Sequence, residues 1–235
     1  MIAAFVQARM SSTRLPGKIA KSIIGKPMLH LQIERMRRSR LVDELVVLTS
    51  KEASDDATAE LAEAAGVPCF RGALTDVLDR FYQAALMRGA DTIVRLTGDC
   101  PLIDWTAIDG SIELYVEGRY DYVQVSEDCG WPKGLDVEVM SFGALERAHY
   151  EATTEYQREH VTPFIYQHPQ QFKLGEYSCI NDLSTHRWTV DTAEDLDFVQ
   201  VIYGALYPNK PGFTTNDILA YLAQNPTKAR LRSAN

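Results

Sequence analysis

Short runs rich in Val, Ile and Leu alternate with longer amphipathic stretches as far as residue 125, and this rhythm constrains the fold more than any other feature. Residues 2–8, 45–49, 67–71, 92–97 and 120–125 read as strands. Residues 29–38, 55–65, 76–88 and 104–117 read as helices, because apolar side chains recur every three or four positions. In the third of these, Val77, Phe81, Ala84 and Ala85 share one face. Strands that are apolar on both faces and separated by helices form a mainly parallel sheet covered on both sides. The expected fold is therefore α/β, three-layered and doubly wound.

After Val125 the alternation loosens. Residues 127–134 mix Cys, Gly, Trp, Pro and Lys and read as a loop. Residues 135–140 alternate strictly, Leu135, Val137 and Val139 on one face and Asp136 and Glu138 on the other, as an edge strand with one solvated face would. Helices over 143–152 and 155–166, strands over 172–177 and 187–190, and helices over 193–206 and 215–225 complete the reading. No repeat and no linker divides the chain, so one domain is expected over 1–235, with a small insertion at about 127–180.

Composition acts mainly by exclusion. A chain that is 46% hydrophobic and 24% charged is neither disordered nor of low complexity. No apolar run approaches the roughly 20 residues a membrane helix needs. The apolar start at 2–6 is short for a secretory leader and runs into Gln7-Ala8-Arg9, so a cytoplasmic location is expected. Cys69, Cys100, Cys129 and Cys179 are far apart and read as free thiols. The five histidines lack close ligand spacing, and P-loop, dinucleotide-binding and nucleophile-elbow motifs are missing.

The net charge of −8 argues against a general nucleic-acid binder. Yet residues 1–40 hold nine Lys/Arg and a single acid, Glu34. A local basic cluster on an acidic chain suits one anionic ligand with a fixed address. The run Arg35-Met36-Arg37-Arg38-Ser39-Arg40 ends a helix, where the dipole favours cations, and needs no nucleic acid to explain it.

The segment after the first strand, Ala8-Arg9-Met10-Ser11-Ser12-Thr13-Arg14-Leu15-Pro16-Gly17-Lys18, packs cations, hydroxyls and free backbone amides into one turn. A polyphosphate at a strand's carboxyl end needs all three. Two acids complete a candidate Mg²⁺ site: Asp99, just past the strand over 92–97, and Asp191, just past the stretch over 187–190. Mg²⁺ is commonly held by one or two carboxylates together with substrate phosphates. A solvated basic loop, a turn aspartate before Pro101 and an acid at a helix start remain the plain alternatives. Asp136 and Glu138 read either as ligands for an acceptor's hydroxyls or a second metal, or as a solvated strand face.

Residues 8–18, followed by Gly25-Lys26-Pro27-Met28, resemble the N-terminal signature of the sugar-acid cytidylyltransferases, which make CMP-sialic acid and CMP-Kdo. The segments 76–81, 98–104, 133–139, 158–163 and 187–196 resemble the branch known as spore coat polysaccharide biosynthesis protein F, in order over almost the whole chain. The resemblance implies a GT-A-like, nucleotide-diphospho-sugar-transferase fold and CTP-dependent transfer of CMP to a sugar acid, sugar phosphate or polyol phosphate, with release of pyrophosphate. It implies that Ala8, Arg9, Met10, Ser11, Ser12, Thr13, Arg14 and Lys18 hold the triphosphate, with Arg9, Arg14, Lys18 and Asp99 serving catalysis. Asp99 and Asp191 would hold Mg²⁺, or Mn²⁺ in its place, while Gly72, Asp76 and Arg80 approach the nucleoside. A homodimer is implied as well.

Position and polarity suggest Trp131, Lys133, Glu138, Arg158, Glu159 and His160 as contacts to a small anionic acceptor. Segments that read the sugar acid in the sialic acid and Kdo enzymes are not recognisable. Two other readings stay open: a nucleotide-sugar-dependent glycosyltransferase, against which the lone Asp99 in place of a D-x-D motif counts, and a non-catalytic nucleotide-binding protein.

Overall fold

The computed structural model describes residues 1–231. Strand β1 (Ile2–Gln7) is followed by the loop over 8–17, a 3-10 turn at Lys18–Ala20 and a small hairpin of β2 (Ser22–Ile23) and β3 (Lys26–Pro27). The sequence reading missed that hairpin. Its turn uses positive φ at both Ile24 (48°) and Gly25 (81°), and an isoleucine does not signal such a turn. Then come α1 (Met28–Met36), β4 (Glu44–Ser50), α2 (Asp56–Ala64), β5 (Cys69–Gly72), α3 (Val77–Arg88), β6 (Thr92–Thr97), α4 (Trp105–Gly118) and β7 (Tyr122–Val125). The remainder is β8 (Val137–Ser141), α5 (Phe142–Glu151), α6 (Glu155–His160), α7 (Pro163–Tyr166), β9 (Leu174–Glu176), α8 (Ala193–Leu206) and α9 (Thr215–Gln224).

Seven strands form one sheet in the order β5-β4-β1-β6-β8-β7-β9. All pairs are parallel except those of β8, which runs antiparallel to both β6 and β7. Side chains of β1 alternate between two core layers. Ala4 and Val6 join one with residues of α1, α2, α4 and α8, while Ala3 and Phe5 join the other with residues of α3, α5 and α7. Burial on both faces is why these strands read as continuous apolar runs. Helix ends carry ordinary signals: Asp76 caps α3 by accepting from Asp79 N at 2.9 Å, and Thr192 with Asp195 forms a capping box on α8.

From β1 the chain steps to β4 and β5 on one side, then returns to β6 on the other. Winding therefore reverses between β1 and β6, and an open α/β sheet leaves its ligand crevice outside the carboxyl ends of the strands at that point. Gln7 pairs in register with both Leu48 and Thr97, so β1 and β6 end level while β4 runs on to Ser50.

Three expectations are corrected. The strand over 135–140 is not an edge: β8 lies between β6 and β7, so its polar face is covered. Glu138 there is paired with Arg95 and accepts from Tyr122 Oη at 2.5 Å and Thr162 Oγ1 at 2.6 Å. The helix expected over 155–166 breaks at Val161, whose φ of 74° and ψ of −58° form a strained γ-turn closed by Thr162 N to His160 O at 2.9 Å. Residues 187–190 form no strand beyond one bridge, Lys133 to Arg187, because Trp188 turns into the core and the neighbouring amides bond to Lys133 and Asp99. Within residues 127–180, β8 and β9 belong to the sheet itself.

All four cysteines are free. No helix among the described residues is long and apolar enough to cross a membrane.

Candidate active site

The crevice at the β1–β6 switch point is a cavity of about 260 Å³. Ala8, Arg9, Ser12, Thr13, Arg14 and Lys18 line it from the loop after β1, joined by Asp99, Asp191, Val77, Arg80, Glu159 and His160 from elsewhere. Backbone bonds shape the loop. Ala8 N donates to Leu48 O at 3.0 Å, and Met10 O accepts from both Ser12 N and Gly17 N at 2.9 Å. Gly98 N donates to Gln7 O at 2.8 Å, and a Cβ on Gly98 would stand 2.9 Å from that of Ala8. A glycine is required where β6 ends against the loop.

Lys18 is the centre of the arrangement. Its Nζ donates to Asp99 Oδ2 at 3.2 Å, Asp191 Oδ1 at 3.1 Å and Val190 O at 2.7 Å. Arg14 reaches the same Asp191 Oδ1 at 3.0 Å, and Arg187 takes the other oxygen at 2.9 Å. Val190 N donates to Asp99 O at 2.8 Å, so the two acids are tied together through backbone. Burial opposes ionisation of Asp99, but the Lys18 ammonium and hydrogen bonds keep its carboxyl below the usual range. Asp136 differs: burial pushes its carboxyl up to about 6, against the bond from Gly134 N and with Asp99 and Glu138 adding like charge.

Arg80 is buried on α3, with its Nη1 donating to Ala73 O at 2.8 Å and its Nε without a partner. Burial and the facing charge of Arg9 lower its guanidinium to about 10. Gly72 makes room for it, since a Cβ there would lie 2.8 Å from Arg80 Cγ. Asp76 accepts from Arg158 through Nε at 3.0 Å and Nη2 at 2.6 Å, clipping α6 to the start of α3. This clip borders a second cavity of about 500 Å³, which shares Arg9 and Glu159 with the first.

The remaining residues divide clearly. Glu159 and His160 are exposed on the cleft. Met10 and Ser11 are not on its lining; Met10 packs against the core, and its amide is what the loop uses. Trp131, expected at the acceptor, is a core residue stacked on Tyr177 and donating Nε1 to Tyr177 O at 2.7 Å. Lys133 pairs with Glu127 at 3.7 Å and lies off the cleft. Glu138 is spent on the buried Arg95 network and lies off it too.

A crevice at a switch point, floored by cations and hydroxyls and flanked by two converging acids, suits a nucleoside triphosphate. A family model described as cytidylyltransferase matches residues 3–210. The chain belongs to the cytidylyltransferase family.

Full-length similarity agrees with this. The spore coat polysaccharide biosynthesis protein SpsF of Bacillus subtilis is 30% identical over 237 residues, covering 98% of this chain and 97% of that protein. The uncharacterised protein MJ1063 of Methanocaldococcus jannaschii is 39% identical over 196 residues, 83% of this chain and 79% of that one. A solved cytidylyltransferase from Leptospira borgpetersenii serovar Hardjo-bovis superposes with a TM-score of 0.93 at 33% identity, covering 100% of this chain and 98% of its own.

As a cytidylyltransferase this chain is a nucleotidyltransferase enzyme, which settles the choice against the glycosyltransferase and non-catalytic readings. The sequence reading overlooked Gln7 and Thr97, which line the cleft of the cytidylyltransferase. Their place as the last residues of two adjacent parallel strands was the available signal.

Proposed function

We propose that this cytidylyltransferase transfers CMP from CTP to a small anionic acceptor, a sugar acid, sugar phosphate or polyol phosphate, for surface polysaccharide. The observation that carries the reading is the Lys18 ammonium held between Asp99 and Asp191 at the strand switch point. An acceptor oxygen attacks the α-phosphorus; its bond to phosphorus forms as the bond to the β-phosphate oxygen breaks, and pyrophosphate leaves. Arg9, Arg14 and Lys18 neutralise the charge that pyrophosphate gains, and the Ser12 and Thr13 hydroxyls with the loop amides hold it in place. Glu159 and His160, exposed on the same cleft, face the acceptor.

The acids fit Mg²⁺. Two carboxylates and the Val190 carbonyl already converge on one cation, the Lys18 ammonium, and they are hard oxygen donors. Among the described residues no third His, Cys, Asp or Glu joins them, which leaves positions for phosphate oxygens and water. Asp99 and Asp191 would hold the ion, Mn²⁺ serving in its place, and the bound metal would supply Lewis-acid polarisation of the phosphate. The reading extends to a chain acting as one nucleotidyltransferase domain and as a homodimer in which residues 127–180 take part; resemblance supports both.

Pyrophosphate release from CTP and Mg²⁺, screened over sugar acids, sugar phosphates and polyol phosphates, tests the proposal. One acceptor class is expected to yield pyrophosphate and a CMP conjugate in equal amounts. Consumption of CTP by hydrolysis alone, or glycosyl transfer from a nucleotide sugar with release of its nucleotide, would refute it.

A further inference from the structure

The loop over 8–18 is gathered around the backbone of one residue, Met10. Its carbonyl gathers the amides of Ser12 and Gly17, and its own N–H donates to Asp55 Oδ1 at 2.7 Å. Asp55 is 0% exposed and ends a 3-10 turn, Ala53–Asp55, directly before α2. An aspartate at that position ordinarily caps the helix by accepting from an amide of the first turn. Asp55 does not; its side chain makes no cap bond. The second oxygen instead takes the Ser50 hydroxyl and Ser50 N, the latter at 3.3 Å, at the end of β4. One carboxylate thus joins the end of β4 to the loop after β1. Its charge also reaches Arg80, the buried guanidinium that lines the cleft beside Arg9.

We propose that Asp55 is a positioning residue of the triphosphate site, holding the Met10 peptide, and through it the whole basic loop, in the shape that receives phosphate. The role rests on the reading of that loop as the triphosphate holder. Asp55 touches no substrate; it acts through Met10. A fully buried carboxylate with both oxygens committed, one to the strand and one to the loop, leaves the loop's backbone pre-organised before any ligand arrives. Burial works against its ionisation, yet the bonds from Ser50 and Met10 keep the carboxyl below its usual range, so it remains a charged acceptor.

The test compares Asp55→Ala and Asp55→Asn with the full-length wild-type chain, by calorimetric titration with CTP and with CMP, at a temperature where circular dichroism shows each protein folded. Asp55→Ala is expected to weaken CTP binding by about tenfold or more, with a smaller change for CMP, because the lost hydrogen bond organises the loop. Asp55→Asn keeps an oxygen acceptor for Met10 N and is expected to recover part of the loss. Amide hydrogen exchange over residues 10–17, read without nucleotide, is expected to be faster in Asp55→Ala than in the wild type, with the exchange of β6 unchanged.

A merely structural role would lower the melting temperature and leave the CTP to CMP affinity ratio of folded protein untouched; that result overturns the proposal. Unchanged exchange over the loop in Asp55→Ala overturns it as well. A wild-type chain that binds no CTP removes the triphosphate reading itself, and this role with it. Wild-type binding that both variants match removes the role of Asp55 alone.

Discussion

Lys18→Met is expected to weaken triphosphate binding about a hundredfold and, in the same protein, to strengthen the binding of a divalent cation offered alone. Methionine keeps the length and apolar stem of lysine but leaves Asp99 and Asp191 without the ammonium that joins them. Two carboxylates held close with no cation between them repel each other, and that repulsion becomes affinity for any divalent ion that enters. In the wild type the ammonium occupies the same oxygens, so free metal is expected to bind weakly until phosphate draws Lys18 away. Truncating one partner of a buried, hydrogen-bonded charge pair costs about 2–5 kcal/mol, so a CTP affinity loss of about a hundredfold is expected. Titration with CTP checks the first half; water-proton relaxation with Mn²⁺, without nucleotide, checks the second. Equal Mn²⁺ affinity in the two proteins would show that Lys18 does not guard the acids.

The largest stability effect is expected at Asp195. Its carboxylate is fully buried and accepts from Arg187 Nε at 3.1 Å and Nη2 at 3.0 Å, from Arg230 Nε at 3.2 Å, and from the amides of Asp191 and Thr192 at 3.0 Å. Asp195→Ala removes at once the acceptor of Arg187 Nε, of Arg230 Nε and of two amides, and leaves Arg187 only its bond to Asp191. Removing one partner from a buried pair costs about 3–5 kcal/mol. For a chain of this size each kcal/mol moves the melting temperature by about 2–4 °C, so a fall of about 10 °C or more is expected.

The pH dependence follows from the same contacts. Burial opposes the charge, but Arg187 and the amides hold the carboxyl at about 2, below its unfolded value of about 3.9. A lowered folded value contributes stability that is fully present above about pH 5 and lost as pH falls toward 2, on the order of 2 kcal/mol. Asp195→Asn should lack that component. An unchanged acid limb in the Asn variant would assign it to other carboxylates.

Much of this was legible in the chain. β1, β4 and β6 are buried on both faces, which leaves a plain apolar run, and the basic loop stands out because cations are scarce in the rest of an acidic sequence. What misled was local pattern without neighbours. Residues 135–140 alternate like an edge strand, yet Arg95, Tyr122 and Thr162 satisfy Glu138 from three other segments, so an interior strand carries a polar face. Trp131 sits in a polar, glycine-rich loop and still belongs to the core. Residues 187–190 look like a strand, but their amides go to the chain at Lys133 and Asp99 rather than to a ladder. Asp55 was invisible for the opposite reason: an aspartate before a helix already has an ordinary explanation, and only the missing cap bond and the contact to Met10 show another use.

The cleft of this cytidylyltransferase is proposed to take CTP together with a divalent metal. Thermal unfolding with each of the four ribonucleoside triphosphates, with and without Mg²⁺, tests it most directly. A ligand at about 100 times its Kd adds about 2.7 kcal/mol. A rise of several degrees is therefore predicted for CTP with Mg²⁺, a smaller one without the metal, and little with ATP, GTP or UTP. No rise with CTP, or equal rises with all four nucleotides and no dependence on Mg²⁺, would contradict it.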